Sequence, residues 1–155
     1  MNTIVRKIVA PLVLFVLAFV LLLGFTAPAG ATVVGARWRA WQYALSQRWD
    51  SYCWGGTGPG CWDCSGLVYK AYRKQGFAIP RTTNDMLSWW RLHRERHWQA
   101  RKGDLVFYGS GHVELYSKWR QTFGALESSY PVNYHHWYWS SWWQPSGYYH
   151  IRGAH

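Results

Sequence analysis

The spacing of apolar residues along this chain changes character once, near residue 100, and that change limits the folds open to it. Before it, apolar side chains recur at three- and four-residue steps, as one face of a helix requires. Trp38, Trp41, Leu45 and Trp49 predict a helix over residues 35–47. Leu67, Val68, Ala71 and Tyr72 predict a second over residues 64–75, capped by Asp63 and ended by Gly76. A third is expected over residues 84–93, with Thr82 or Thr83 as cap and Met86, Leu87 and Trp90 turned inward. Beyond it, GDLVFY (103–108), HVELYS (112–117) and FGALES (123–128) read as short strands joined by glycine-rich or polar turns, with YYHIR (148–152) as a closing strand. Helices first, strands afterwards and short connections describe an α+β domain with an antiparallel sheet.

The first 31 residues read differently. Arg6 and Lys7 precede an uncharged stretch over residues 8–25, followed by TAPAGA at residues 26–31. A basic start, an apolar middle and small residues at the end predict a secretory signal peptide cleaved after Ala31. An uncleaved membrane anchor is the alternative, but Pro11 interrupts the run and leaves an apolar core of signal-peptide length. The mature domain, residues 32–155, is long enough for one modest core. Its charge is positive. The 17 basic and 7 acidic side chains give a net +10, and loss of Arg6 and Lys7 lowers it to +8. Such a balance favours a polyanionic neighbour. Outside a cell that means anionic cell-wall polymers or lipid headgroups, not nucleic acid. The chain also carries 13 Trp and 11 Tyr. Those on helices are expected to pack the core, but the run YHHWYWSSWW (134–143) is too dense to be all interior, so part of it should form a surface.

The segment GCWDCSGLVYKAYRKQG (60–76) holds two of the 3 cysteines, Cys61 and Cys64. Three chemistries fit that spacing. A structural zinc site needs four ligands. Beyond Cys53, the candidates are His93 with His97 and the adjacent pair His135 and His136. The residues HRERH (93–97) read better as a solvated helix face. A thiol–disulfide exchange motif also begins a helix, but after a strand, whereas a glycine-rich loop precedes this one. In the third chemistry Cys64 is a nucleophile, its thiolate favoured by the partial positive charge of a helix N-terminus. A nucleophilic cysteine needs a base, and the base needs an orienting partner. His112 opens a strand on which His112, Glu114 and Tyr116 share a face. Glu127, on the next expected strand, is placed for the orienting role. Taken alone, a buried structural His112 and a surface Glu127 are the simpler readings.

Two runs decide between them. DCSGLVYKAY (63–72) and GDLVFYGSGHVELY (103–116) resemble the NlpC family of papain-like cell-wall cysteine peptidases. SYCWGGTGPG (51–60) is similar to the glycine-rich approach to that family's cysteine, and IPRTTNDM (79–86) to the segment after its first catalytic helix. The resemblance runs from about residue 36 to the end. It implies a papain-like fold in which N-terminal helices pack on a small antiparallel sheet. It implies Cys64 as nucleophile, His112 as general base and Glu127 as third catalytic residue, with no metal or cofactor. It also implies Tyr52 as a residue that shapes the site, and Asp63 and Ser65 as holders of the free amine of a peptidoglycan peptide. The domain is expected to act as a monomer.

The sequence departs from the family's pattern in two places. Glu114 stands where the family commonly has a small residue, on the face it shares with His112, and so competes with Glu127 as its partner. Cys53 and Cys61 have no counterparts in the common pattern. With Cys64 assigned to catalysis, they are expected to form a disulfide that closes a short loop over the site.

Overall fold

The structure is a computed structural model that describes residues 35–136 and 144–155. The expected signal peptide and residues 137–143 of the aromatic run lie outside the described residues. Helix α1 (Ala36–Leu45) leads into two short strands, β1 (Ser51–Tyr52) and β2 (Cys61–Trp62), which pair in parallel. Helices α2 (Cys64–Arg73) and α3 (Thr83–Leu87) follow. Strands β3 (Leu92–Glu95), β4 (Leu105–Tyr108), β5 (His112–Lys118), β6 (Gln121–Gly124), β7 (Asn133–His136) and β8 (Gly147–Ile151) complete the chain. These six form one sheet in the order β3-β8-β4-β5-β6-β7, with every neighbour antiparallel. The architecture is the α+β arrangement that the periodicity predicts.

Alternation along β5 sorts its side chains. Val113 and Leu115 join Leu105, Phe107 and Phe123 in the core beneath the helices, and His112, Glu114 and Tyr116 take the other face. Helix α2 buries Leu67, Val68, Ala71 and Tyr72, and the Tyr72 hydroxyl donates to the Gly103 carbonyl at 2.7 Å. Helix α1 buries a narrower stripe of Ala36, Ala40, Trp41 and Ala44. The alanines let it lie close, and Trp41 meets Phe123 edge-on at 5.6 Å. Trp38 and Trp49 are exposed, against expectation. Small residues carry the contact, and the helix ends at Leu45, before Trp49.

Two expected elements take other forms. The third helix stops at Leu87, because Leu92–Glu95 pairs with β8 as an edge strand, placing Leu92 opposite Ile151 and Glu95 opposite Tyr148. Trp90 lies between the two elements and is 73% exposed. His93 lies opposite His150, their tilted rings 5.1 Å apart, and HRERH is strand and loop rather than a helix face. The strand expected over residues 123–128 is Gln121–Gly124, for β7 pairs with β6 only as far as Gly124 opposite Asn133. Strand β7 itself is unforeseen. It packs half-buried Tyr134 against the core, 5.1 Å from Phe123.

The glycine-rich loop and the start of α2 approach closely enough to fix a residue type. A Cβ on Gly66 would lie 1.9 Å from the Gly56 carbonyl oxygen. Cys53 and Cys61 form the expected disulfide across this loop, their Cα atoms 5.5 Å apart. It adds roughly 2–3 kcal/mol by restricting the unfolded chain.

Where α1 meets β4, Asp104 accepts from Arg37 Nη1 at 3.3 Å and from the Arg101 N–H at 2.6 Å. Burial outweighs both and, with Glu95 beside it, pushes the carboxyl up to about 7. Its folded value lies above the ordinary one, so its contribution to stability is complete at acid pH and is lost as pH rises to about 7. Asp104→Asn should remove that slope from urea unfolding curves measured between about pH 4 and pH 7. Gly66→Ala should cost about 1–3 kcal/mol by the same measurement, because backbone rather than a flexible side chain blocks the methyl group.

Candidate active site

Asp63 follows β2 with extended backbone and caps α2, its Oδ1 accepting from the Gly66 N–H at 2.6 Å. That cap places Cys64 in the first turn, buried, with its N-terminal side facing an open cleft of about 500 Å³. The cleft is lined by Tyr52, Trp54, Asp63, Arg81, Asn84 and Gly111, among others. Strand β5 begins beside it. Tyr108 lies across the β4–β5 turn, its ring centroid 5.6 Å from that of His112.

The thiol of Cys64 and the imidazole of His112 are hydrogen-bonded. Burial pushes the Cys64 thiol up. The hydrogen bond and charge of His112 and the backbone of Val113 overcome it and leave the thiol below its ordinary value. Burial pushes His112 down, but Cys64 and Glu114 together raise it to about 9. Both shifts favour the thiolate–imidazolium form of the pair over the neutral one.

Glu114 is fully buried on the same face. Its Oε1 lies 3.4 Å from His112 Nε2 and 2.6 Å from His135 Nδ1. Its Oε2 accepts from the Thr122 hydroxyl, which lies 3.0 Å from the Tyr108 hydroxyl. If Thr122 gives its one proton to the carboxylate, Tyr108 must donate to Thr122, so the chain of hydroxyls ends on Glu114. Burial alone would raise this carboxyl. The hydrogen bonds and charges of His112 and His135 hold it down at about 2.

The sheet register builds this cluster. Thr122 pairs with Tyr116 on one side and His135 on the other, which brings both side chains to the face of Glu114. Gly124 makes the space, since a Cβ there would lie 2.9 Å from Glu114 Cγ.

The structure thus brings Cys64 and His112 together, but Glu127 does not join them. It is exposed in the loop after β6 and acts on the Tyr52 hydroxyl, not on His112. The carboxylate at His112 is Glu114. Asp63 is more occupied than its expected role requires: Arg81 spans both its oxygens at 3.1 and 2.5 Å, and Ser65 donates to Oδ1 at 3.1 Å. Arg81 also donates to Ser65 Oγ at 2.8 Å, and Tyr52 lines the same cleft. The disulfide takes Cys61 away from Cys64, which removes the exchange motif. Sequence reasoning missed Arg81, Thr122 and Gly124, and it weighed His135 only as a metal ligand. Alternation had put Glu114 beside His112; the pairing of β6 and β7 left no signal.

Comparison with known proteins gives this geometry a lineage. The model of the NlpC/P60 family matches residues 49–148, and the chain belongs to that family. Over 86 residues it is 41% identical to a protein of Corynebacterium glutamicum named a probable endopeptidase, a match covering 54% of this chain and 40% of the relative. Its fold is similar to that of the peptidoglycan hydrolase RipB from Mycobacterium tuberculosis, at a TM-score of 0.62 and 28% identity, covering 77% of this chain and 65% of that one. RipD from the same organism, described as a non-catalytic NlpC/p60 domain protein adapted to peptidoglycan binding, also matches: TM-score 0.59, 28% identity, 76% of this chain and 96% of that one. The fold is the papain-like one.

Glu114→Gln should lower the titration of His112, followed by NMR, from about 9 toward the ordinary imidazole value. The wild-type stability that His112 contributes is complete below about pH 6.5 and is lost as pH rises through about 9, so the variant should weaken that dependence.

Proposed function

We propose that this protein is a secreted cysteine endopeptidase that hydrolyses peptidoglycan stem peptides at the bond between D-glutamate and the diamino acid. The observation that carries this reading is the buried Cys64–His112 pair, polarised toward thiolate and imidazolium. The thiolate attacks the amide carbonyl. The Cys64 and Ser65 N–H groups, which open α2, are donors for the oxyanion that develops. Imidazolium His112 gives its proton to the leaving amine, and a thioester remains. Neutral His112 then takes a proton from water, hydroxide attacks the thioester, and the acid product and thiolate are released. Glu114 holds the ring and stabilises its charged form.

Cleft and compartment agree with this reading. Tyr52, Asp63 and Ser65 line the cleft, where the family resemblance puts the free amine of the substrate, and Arg81 adds a cation beside Asp63. The pair suits a peptide end that bears both charges. The Cys53–Cys61 disulfide suits export to an oxidising compartment, as does the expected signal peptide. A purely binding role, the one described for RipD, leaves the polarised Cys64–His112 pair without a purpose.

Mass spectrometry of a defined muropeptide mixture should show cleavage at the D-glutamyl–diamino acid bond. Cys64→Ala and His112→Ala should each lower turnover about a thousandfold or more. Undiminished turnover by Cys64→Ala sinks the reading. The kcat/KM profile should fall on its alkaline side near pH 9, as His112 loses its proton, and Glu114→Gln should move that limb to lower pH.

A further inference from the structure

Trp54 lines the active-site cleft and is 91% exposed, more than any other large apolar side chain among the described residues. It also differs in kind from the rest. Trp38, Trp49, Trp90, Trp98 and Trp119 are exposed too, but each has a lysine or arginine over its ring, at 4.4 to 5.9 Å. Among the described residues nothing makes a ring, cation or hydrogen-bond contact with Trp54, so both faces of its indole are open.

The backbone that carries this indole is held at both ends. Trp54 takes the second position of a tight turn, closed by the Gly56 N–H donating to the Cys53 carbonyl at 3.0 Å. Gly55, in the third position, has a φ of 76°, as a type II turn requires there. One end is fixed by the disulfide to Cys61 and by the Cys53 N–H, which donates to the Trp62 carbonyl at 2.9 Å. At the other, the Gly56 carbonyl accepts from the Asp63 N–H at 3.1 Å and from Arg81 Nη2 at 3.4 Å. A large aromatic surface on an ordered backbone is covered by a ligand at little further cost in entropy.

These anchors select one half of the substrate. In the hydrolysis proposed above, the leaving amine takes its proton from His112. The leaving half therefore lies toward Ser110 and Gly111, which line the cleft just before that residue. The acyl half lies toward Asp63, Ser65 and Arg81, and it is to Asp63 and Arg81 that the Trp54 turn is tied. We infer that Trp54 determines specificity for the acyl residue, its indole packing on the methylenes of the glutamate while Asp63 and Arg81 take the charges. The inference rests on the endopeptidase reading, but it is read by binding as well as by turnover, so the two fail separately.

The test compares a short peptide containing a free amine, D-glutamate and a diamino acid with the same peptide carrying glycine in place of glutamate. On the glutamyl peptide, Trp54→Ala should raise KM about tenfold or more and leave kcat within about twofold of the parent. On the glycyl peptide, which has no methylenes to cover, variant and parent should differ in KM by less than about twofold. Trp54→Phe should keep most of the parent's affinity, and Trp49→Ala, which removes an exposed indole outside the cleft, should match the parent. In the full chain carrying Cys64→Ala, calorimetry should show the same ranking, with the Kd for the glutamyl peptide about tenfold weaker once Trp54→Ala is added. That Kd ranking with no turnover by the parent supports Trp54 as a binding residue and sinks the endopeptidase reading. Unchanged KM and Kd in Trp54→Ala overturn the inference. So does an equal rise on both peptides, a fall in kcat alone, or an equal loss in Trp49→Ala.

Discussion

A carboxylate without solvent contact dictates much of this sheet. Removing an ionised group from water costs several kcal/mol, and only close, well-made partners offset that cost. Glu114 has them from three strands: His112 on its own strand, Thr122 on β6 and His135 on β7. Each depends on backbone register, since a slip of one residue would turn Thr122 or His135 to the opposite face. Gly124 belongs to the same constraint, because any larger residue there would collide with the glutamate. The sheet is thus specified on one face by apolar packing and on the other in large part by the buried polar cluster around Glu114.

That charge reaches Cys64 through His112. An imidazole as buried as this one would ordinarily lose its proton. Cys64 and Glu114 favour its charged form, and the charged ring in turn offsets the rise that burial imposes on the thiol. The three groups form a line of alternating charge, and each depends on the next. The other two cysteines stay outside it. By pairing with Cys53, Cys61 closes the loop whose carbonyl at Gly56 rests against Gly66, so the disulfide supports the approach to the thiol without sharing its chemistry.

How much of this was legible in the sequence follows from the range over which each feature is determined. The helix that carries Cys64 was clear, because its cap, its apolar face and its terminal glycine all lie within one short stretch. The face shared by His112 and Glu114 was equally clear from alternation alone. Glu127 was a different matter. Its assignment needed β6 to continue to residue 128, and β6 ends at Gly124, where its pairing with β7 ends. Strand β7 carries no apolar alternation, so nothing local announced it or brought His135 to Glu114. The edge strand Leu92–Glu95 was mistaken for helix for the same reason: its partner lies more than fifty residues away, on β8. Long-range pairing decides such segments, and propensity is too weak to oppose it.

RipB and RipD show why the fold alone cannot assign the chemistry. One is described as a hydrolase and the other as non-catalytic, yet both match this chain at 28% identity, with TM-scores of 0.62 and 0.59. What separates the two possibilities has to be local. A domain that only held the wall would have no use for a depressed thiol beside an imidazolium, or for a desolvated carboxylate behind it. Apolar side chains of similar volume would fill the same space at equal or greater stability. A chain that keeps this arrangement forgoes that gain, and under the proposed endopeptidase activity the return is reactivity at Cys64.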